Sequence, residues 1–220
     1  MVKNSLVLAP SILAADCAAL GDAVGKIKNA GLKWVHFDVM DAHFVPNLSF
    51  GPQFLKRLRE LYPDMFFDVH LMMDNPHLYI DAFASAGASL INVHLEPDFP
   101  LAETLREIHL KGLKVGITIK PKTSVFELAP YLPFVDLAML MTVEPGFGGQ
   151  TIVENAHERI AALKKLREEM KLNFRIEIDG GVTAQNVSGC IKAGADTIVA
   201  GTAFFKHTDE LLAAIAAENK

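Results

Sequence analysis

One phrase of polar and apolar positions recurs along this chain: an amphipathic stretch, a glycine, then a run of β-branched and aliphatic residues. It stands at KNAGLKWVHFDV, ASAGASLINVH, HLKGLKVGITI and KAGADTIVAG. Each glycine fits the position just past a helix, where left-handed backbone ends it. The runs that follow are apolar on both faces in places, as in buried parallel strands. Eight strands are predicted, near residues 6–10, 33–40, 66–72, 89–95, 114–119, 135–142, 174–179 and 196–200. Helices are predicted between them. Asp16 is placed to cap the first, and Asn75-Pro76 opens the third with proline at its first position. Ala156, Ile160, Leu163, Leu166 and Met170 mark a helix over 155–171, and the last helix runs from about Asp209 to Glu218. Strict alternation predicts an α/β protein, one closed (β/α)8 TIM barrel over residues 1–220. An open doubly wound sheet is disfavoured, because no Gly-x-Gly-x-x-Gly follows the first strand.

Composition narrows the function. The 220 residues are 50% hydrophobic, enough for one large core. The net charge of −5 comes with no basic block, so nucleic acid is not an expected partner. Cys17 and Cys190 form no disulfide framework and no zinc ribbon, which favours a reducing compartment. MVKNSLVLAPSIL does not read as a signal peptide, and no apolar run is long enough to span a membrane. The expected location is cytoplasmic.

The polar residues inside the predicted strands carry the chemistry. On strand two, Val35, Phe37 and Val39 alternate with Trp34, His36, Asp38 and Met40, so His36 and Asp38 share the inward face. Burying the two unpartnered would cost about 2 kcal/mol or more for each polar group, and a metal removes that penalty. His70 near the end of strand three and Asp179 at the end of strand seven join them. Alone, His36 and Asp38 could be a hydrogen-bonded core pair, His70 a core histidine, and Asp179-Gly180-Gly181 a turn. Together, two histidines and two carboxylates at the catalytic end of a barrel suit one divalent ion per subunit, Zn2+ or Fe2+ before Mn2+ or Co2+. Two carboxylates flanking a bound substrate can remove a proton from one face and return it on the other, which is epimerase chemistry.

Gly146-Phe147-Gly148-Gly149 follows strand six, Gly180-Gly181 strand seven and Gly201-Thr202 strand eight. Such loops present backbone N–H groups to an oxyanion, and phosphate often binds this quadrant of a barrel. A phosphorylated small molecule is the expected substrate. Met40, Met72 and Met141 near strand ends are either core or an apolar collar over the metal. His94 and Glu96 in VHLEP read as supports of the site or structural residues, and Lys120 as a lesser candidate for a Schiff base. A metal-dependent aldolase would need only one acid–base group, and a sugar-phosphate sensor would need no carboxylates on two faces.

The chain resembles the ribulose-phosphate 3-epimerase family along nearly its whole length. The resemblance is carried by APSILAAD, HFDVMDAHFVPNLSFGP, DVHLMM, VHLE, KVGITIKPKTSV, MTVEPGFGGQ, IEIDGGV and IVAGTAFF. It implies a barrel of the ribulose-phosphate-binding type and the interconversion of D-ribulose 5-phosphate and D-xylulose 5-phosphate through a 2,3-enediolate, in the non-oxidative pentose phosphate pathway. A related ketose phosphate, D-allulose 6-phosphate, would use the same machinery. It implies His36, Asp38, His70 and Asp179 as metal ligands, with Asp38 as proton acceptor and Asp179 as donor in one direction. It also implies substrate contacts from Ser11, His70 and the three glycine loops, the methionine collar, and a homodimer. Two departures stand out: Ala42 where the family commonly has glycine, which predicts strain if that position needs positive φ, and Lys122 where it usually has glycine. Thr202 replaces the more usual serine and keeps the hydroxyl.

Overall fold

The computed structural model describes residues 5–218, so the ends of the expected 1–220 domain lie outside the described residues. Eight strands form, each within a residue or two of its predicted bounds: β1 (Val7–Pro10), β2 (Trp34–Met40), β3 (Phe66–Met72), β4 (Leu90–His94), β5 (Lys114–Ile119), β6 (Leu137–Met141), β7 (Arg175–Asp179) and β8 (Thr197–Ala200). All neighbours pair in parallel, in the order β1-β8-β7-β6-β5-β4-β3-β2. The ring meets itself between β1 and β2, where one parallel bridge joins Ser11 to His36.

The helices are α1 (Leu20–Asn29), α2 (Pro52–Leu61), α3 (Ile80–Ala86), α4 (Leu101–Leu110), α5 (Ala156–Glu169), α6 (Val187–Ala193), α7 (Thr202–Lys206) and α8 (Thr208–Glu218). Gly31, Gly87, Gly112 and Gly194 all take positive φ at the stops, as the recurring phrase predicts. Asp16 accepts from the Ala18 N–H and caps a 3-10 turn that runs into α1. Asn75-Pro76 likewise opens a 3-10 turn, Pro76–Tyr79, with α3 starting behind it. One expectation fails. No α-helix links β5 to β6; two 3-10 turns, Val125–Leu128 and Leu132–Phe134, take its place. Pro130 and Pro133 lie in that stretch, and proline removes the N–H an α-helix needs.

Strand alternation divides the core in two. Val35, Phe37 and Val39 face outward into the large cluster shared with the helices, beside Leu55, Ile80 and Ile160. Inside the ring, Leu90, Leu137, Met139, Met141 and Val199 pack together, with Trp34 stacked on Phe66 at 4.0 Å. That stack, with Leu90 and Leu137, occupies the N-terminal half of the lumen, and Met141 and Val199 reach up to the cavity above it. The C-terminal half holds the polar residues.

Candidate active site

The alternation that points Trp34 inward also turns His36 and Asp38 inward, and register places Asp38 beside His70 of β3. Asp179, at the end of β7, completes a group whose donor atoms all lie within 4.8 Å of one another: His36, Asp38, His70 and Asp179. His36 Nε2 stands 3.3 Å from Asp38 Oδ1 and 4.0 Å from Asp179 Oδ2. His70 Nδ1 stands 3.1 Å and 3.9 Å from the same two oxygens. His36 Nε2 is buried without a hydrogen-bond partner. An orphaned imidazole nitrogen facing two carboxylates in a buried N/O donor set fits a divalent cation.

Asp38, His36 and His70 are each oriented from behind. Ser11 donates its hydroxyl to Asp38 Oδ2 at 2.5 Å, leaving Oδ1 for the two histidines. His36 Nδ1 lies 2.7 Å from Asp68 Oδ2. His70 Nε2 lies 2.9 Å from His94 Nε2, and His94 Nδ1 lies 3.0 Å from Glu96 Oε2. Asp68 and Glu177 were not singled out from sequence. Both lie two residues before a site residue on the same strand, so alternation puts them on the inward face. Glu177 is fully buried with neither oxygen hydrogen-bonded. Burial, and then the charge of Asp68, push its carboxyl well above the usual range.

The two aspartates differ in the same way. Burial opposes ionisation of Asp38, but His36 and His70 outweigh it and hold the carboxyl well below its ordinary value. Asp179 is pushed up to about 6 by burial and by the neighbouring Asp38 charge, against the pull of His36 and His70. For His36, burial favours the neutral ring, yet Asp38 and Asp68 raise it well above its ordinary value.

A cavity of about 510 Å³ opens over this group. Asp38, Asp179 and Ser11 line it, as do Met40, Met72 and Met141. So do Gly146, Phe147, Gly148 and Gly149, Gly180 and Gly181, and Gly201 and Thr202. His36 and His70 are fully buried and do not line it. Gly181 has φ +70, and a Cβ there would stand 2.6 Å from the Ile152 backbone nitrogen; only glycine lets the β7 loop lie against the β6 loop. Asn47 donates its side-chain N–H to the Gly146 carbonyl at 2.7 Å, tying the β2 loop to the same quadrant. Lys206 and His207, both exposed, also line the cavity, and no motif in the sequence marks them. Lys122 is exposed. Lys120 does not line the cavity; its ammonium sits 3.5 Å above the Phe44 ring.

Comparison with known proteins gives the fold and the family. A solved tryptophan synthase α-subunit variant from Pyrococcus furiosus superposes with a TM-score of 0.71 at 15% identity, covering 99% of both chains, which establishes the barrel alone. The Treponema pallidum ribulose-phosphate 3-epimerase is 42% identical over 207 residues, 94% of each chain. The Bacillus subtilis ribulose-phosphate 3-epimerase is 41% identical, covering 92% of this chain and 93% of its own. A chloroplastic ribulose-5-phosphate-3-epimerase of Arabidopsis thaliana is 40% identical over 94% of this chain. The profile of the ribulose-phosphate 3 epimerase family matches residues 7–205, and the chain is an enzyme of that family.

Proposed function

We propose that this enzyme interconverts D-ribulose 5-phosphate and D-xylulose 5-phosphate by inverting C3, with the whole chain serving as one catalytic barrel. The observation that carries the reading is the pair Asp38 and Asp179. Both line one cavity, and their environments drive their proton affinities apart. Two carboxyl groups pushed in opposite directions suit a base and an acid. Asp38, held ionised, takes the C3 proton. The electrons move into a 2,3-enediolate. Asp179, carrying a proton, delivers it to the opposite face of C3. The reverse reaction exchanges the roles.

His36, Asp38, His70 and Asp179 would hold the divalent ion, Zn2+ or Fe2+ by donor type. When bound, it supplies Lewis acidity that polarises the C2 ketone and acidifies the C3 hydrogen. Ser11 keeps Asp38 turned toward the cavity. The N–H groups of the loops at 146–149, 180–181 and 201–202 would take the phosphate. Met40 and Met72, packed with Val45, and Met141 exclude water from the enediolate. Cys17 and Cys190 are both free, which agrees with a reducing, cytoplasmic setting. The assembly expected from the family resemblance is a homodimer.

The test is proton NMR of the enzyme with D-ribulose 5-phosphate in D2O, before and after chelation. Xylulose 5-phosphate carrying deuterium at C3, lost on chelation, is the expected result. Absence of product and exchange in metal-loaded protein would refute the substrate assignment.

A further inference from the structure

Thr142 follows the last residue of β6 and lies behind the glycine loop of β7. It is buried and does not line the cavity. Its backbone N–H donates to the Asp179 carbonyl at 2.8 Å. Its hydroxyl lies 2.5 Å from the Gly180 carbonyl and 2.9 Å from that of Asp179. A hydroxyl has one proton to give, and the N–H already serves Asp179, so the hydroxyl donates to Gly180. The Thr142 carbonyl accepts from the Val153 N–H at 2.8 Å, which closes the β6 loop on the same residue. Gly180, at φ +112, is what brings two successive carbonyls to one side. A Cβ there would stand 2.3 Å from Val143, the residue next to Thr142.

We propose that Thr142 is a positioning residue: by holding these two carbonyls it aims the Gly180 and Gly181 N–H groups at the substrate phosphate. The peptide bonds are trans, and in a trans peptide the C=O and the N–H point in opposite directions. Anchoring the Asp179 carbonyl on Thr142 therefore turns the Gly180 N–H away from Thr142. Anchoring the Gly180 carbonyl turns the Gly181 N–H away in the same manner. Away from the buried threonine is toward the cavity, which both glycines line. Neither N–H has an acceptor among the described residues. Successive N–H groups turned to one side form a concave anion site. The backbone N–H of residue 142 would grip Asp179 whatever its side chain. Only a hydroxyl there grips Gly180, so the side chain sets the Gly181 N–H.

The inference rests on the reading that this quadrant takes the phosphate, and inorganic phosphate tests it without turnover. The experiment is amide 1H–15N NMR of the enzyme, of Thr142→Val and of Thr142→Ser during titration with inorganic phosphate, beside kcat and KM for D-ribulose 5-phosphate. In the wild type, the Gly180 and Gly181 amides are expected to shift. Thr142→Val keeps the shape and the backbone N–H but loses the hydroxyl, so the Gly181 response is lost. The Kd for phosphate and the KM each rise by about 10–100-fold, as for a lost hydrogen bond to a charged group, while kcat is retained. Thr142→Ser restores both. A merely structural threonine would lower the stability of Thr142→Val without moving the phosphate Kd or separating KM from kcat. Unchanged phosphate affinity in Thr142→Val overturns the proposal. So does a serine that fails to restore binding, or a wild type whose two glycine amides ignore phosphate. If Thr142→Val does not fold, Thr142→Ala takes its place against Thr142→Ser. A wild type whose glycines bind phosphate as expected but that leaves the sugar unchanged would remove the substrate reading and leave Thr142 in its role.

Discussion

Ser11 Oγ sits 2.5 Å from Asp38 Oδ2, across the seam where β1 meets β2. The same oxygen caps the turn Ile12–Ala14 by accepting from the Leu13 N–H. The contact holds the proposed base by a hydrogen bond to a charged group, worth about 1.5–3 kcal/mol. Ser11→Ala is expected to lower kcat by about 10–100-fold with bound metal retained, since serine is no ligand. Steady-state rates beside metal analysis check this. An unchanged kcat would mean that the hydroxyl does not orient Asp38.

Asp38→Asn and Asp179→Asn are each expected to reduce turnover by at least about 100-fold, the lower range for loss of an acid–base group. Both residues are also proposed ligands, so turnover alone does not separate the roles. Metal content and C3 deuterium exchange must be measured on the same samples. Near-wild-type turnover in either variant would take that residue out of the acid–base pair.

Ala42 occupies left-handed backbone at φ 61, so the strain predicted from the missing glycine is present. The loop is held in place by its neighbour. Asp41 accepts from the N–H groups of His43, Phe44 and Asp74, and Ala42 donates to the Asn47 carbonyl. An L-residue here costs about 1–2 kcal/mol, and glycine gives back part of that through the unfolded chain. Ala42→Gly should therefore stabilise the protein by about 0.5–1 kcal/mol in urea unfolding. A destabilised variant would mean that the loop is not under strain.

The metal-free protein should gain stability as pH falls from 7 to 5. Asp179 has a folded value of about 6, above its ordinary 3.8, so folding takes up a proton in that window. His36 acts in the same direction: its raised value contributes stability that is lost as pH rises through it. Asp38 contributes fully above its ordinary range and does not change between these pH values. The expected gain from Asp179 is about 1–2 kcal/mol, read by urea unfolding of chelated protein at the two pH values. Falling stability over that interval would contradict the raised Asp179.

Much of this site can be read from two periodicities. The glycine stops predicted Gly31, Gly87, Gly112 and Gly194 in left-handed backbone, and they locate the strands. Alternation along β2 then turned His36 and Asp38 toward the lumen beside Trp34. What escaped depends on contacts between distant segments. The link from Ser11 to Asp38 spans 27 residues and crosses the seam. His94 was legible as a support, but its approach to His70 needs the register of β3 against β4. Glu177 could have been found, since it alternates with Asp179; a charged side chain inside a strand reads by default as solvent-facing. The absent helix between β5 and β6 was written in Pro130 and Pro133, and eightfold regularity overrode that signal.

The seam has a mechanical consequence. Seven of the eight strand junctions are continuous ladders, while among the described residues β1 and β2 are joined by one bridge, at Ser11 and His36. The barrel is in effect a ribbon fastened at its reactive end by a serine and a histidine. An ion shared by β2, β3 and β7 would brace that ring across its diameter. Slow amide exchange along β1 and β2 would then report on occupancy of the site, and the catalytic cluster would double as the clasp of the fold.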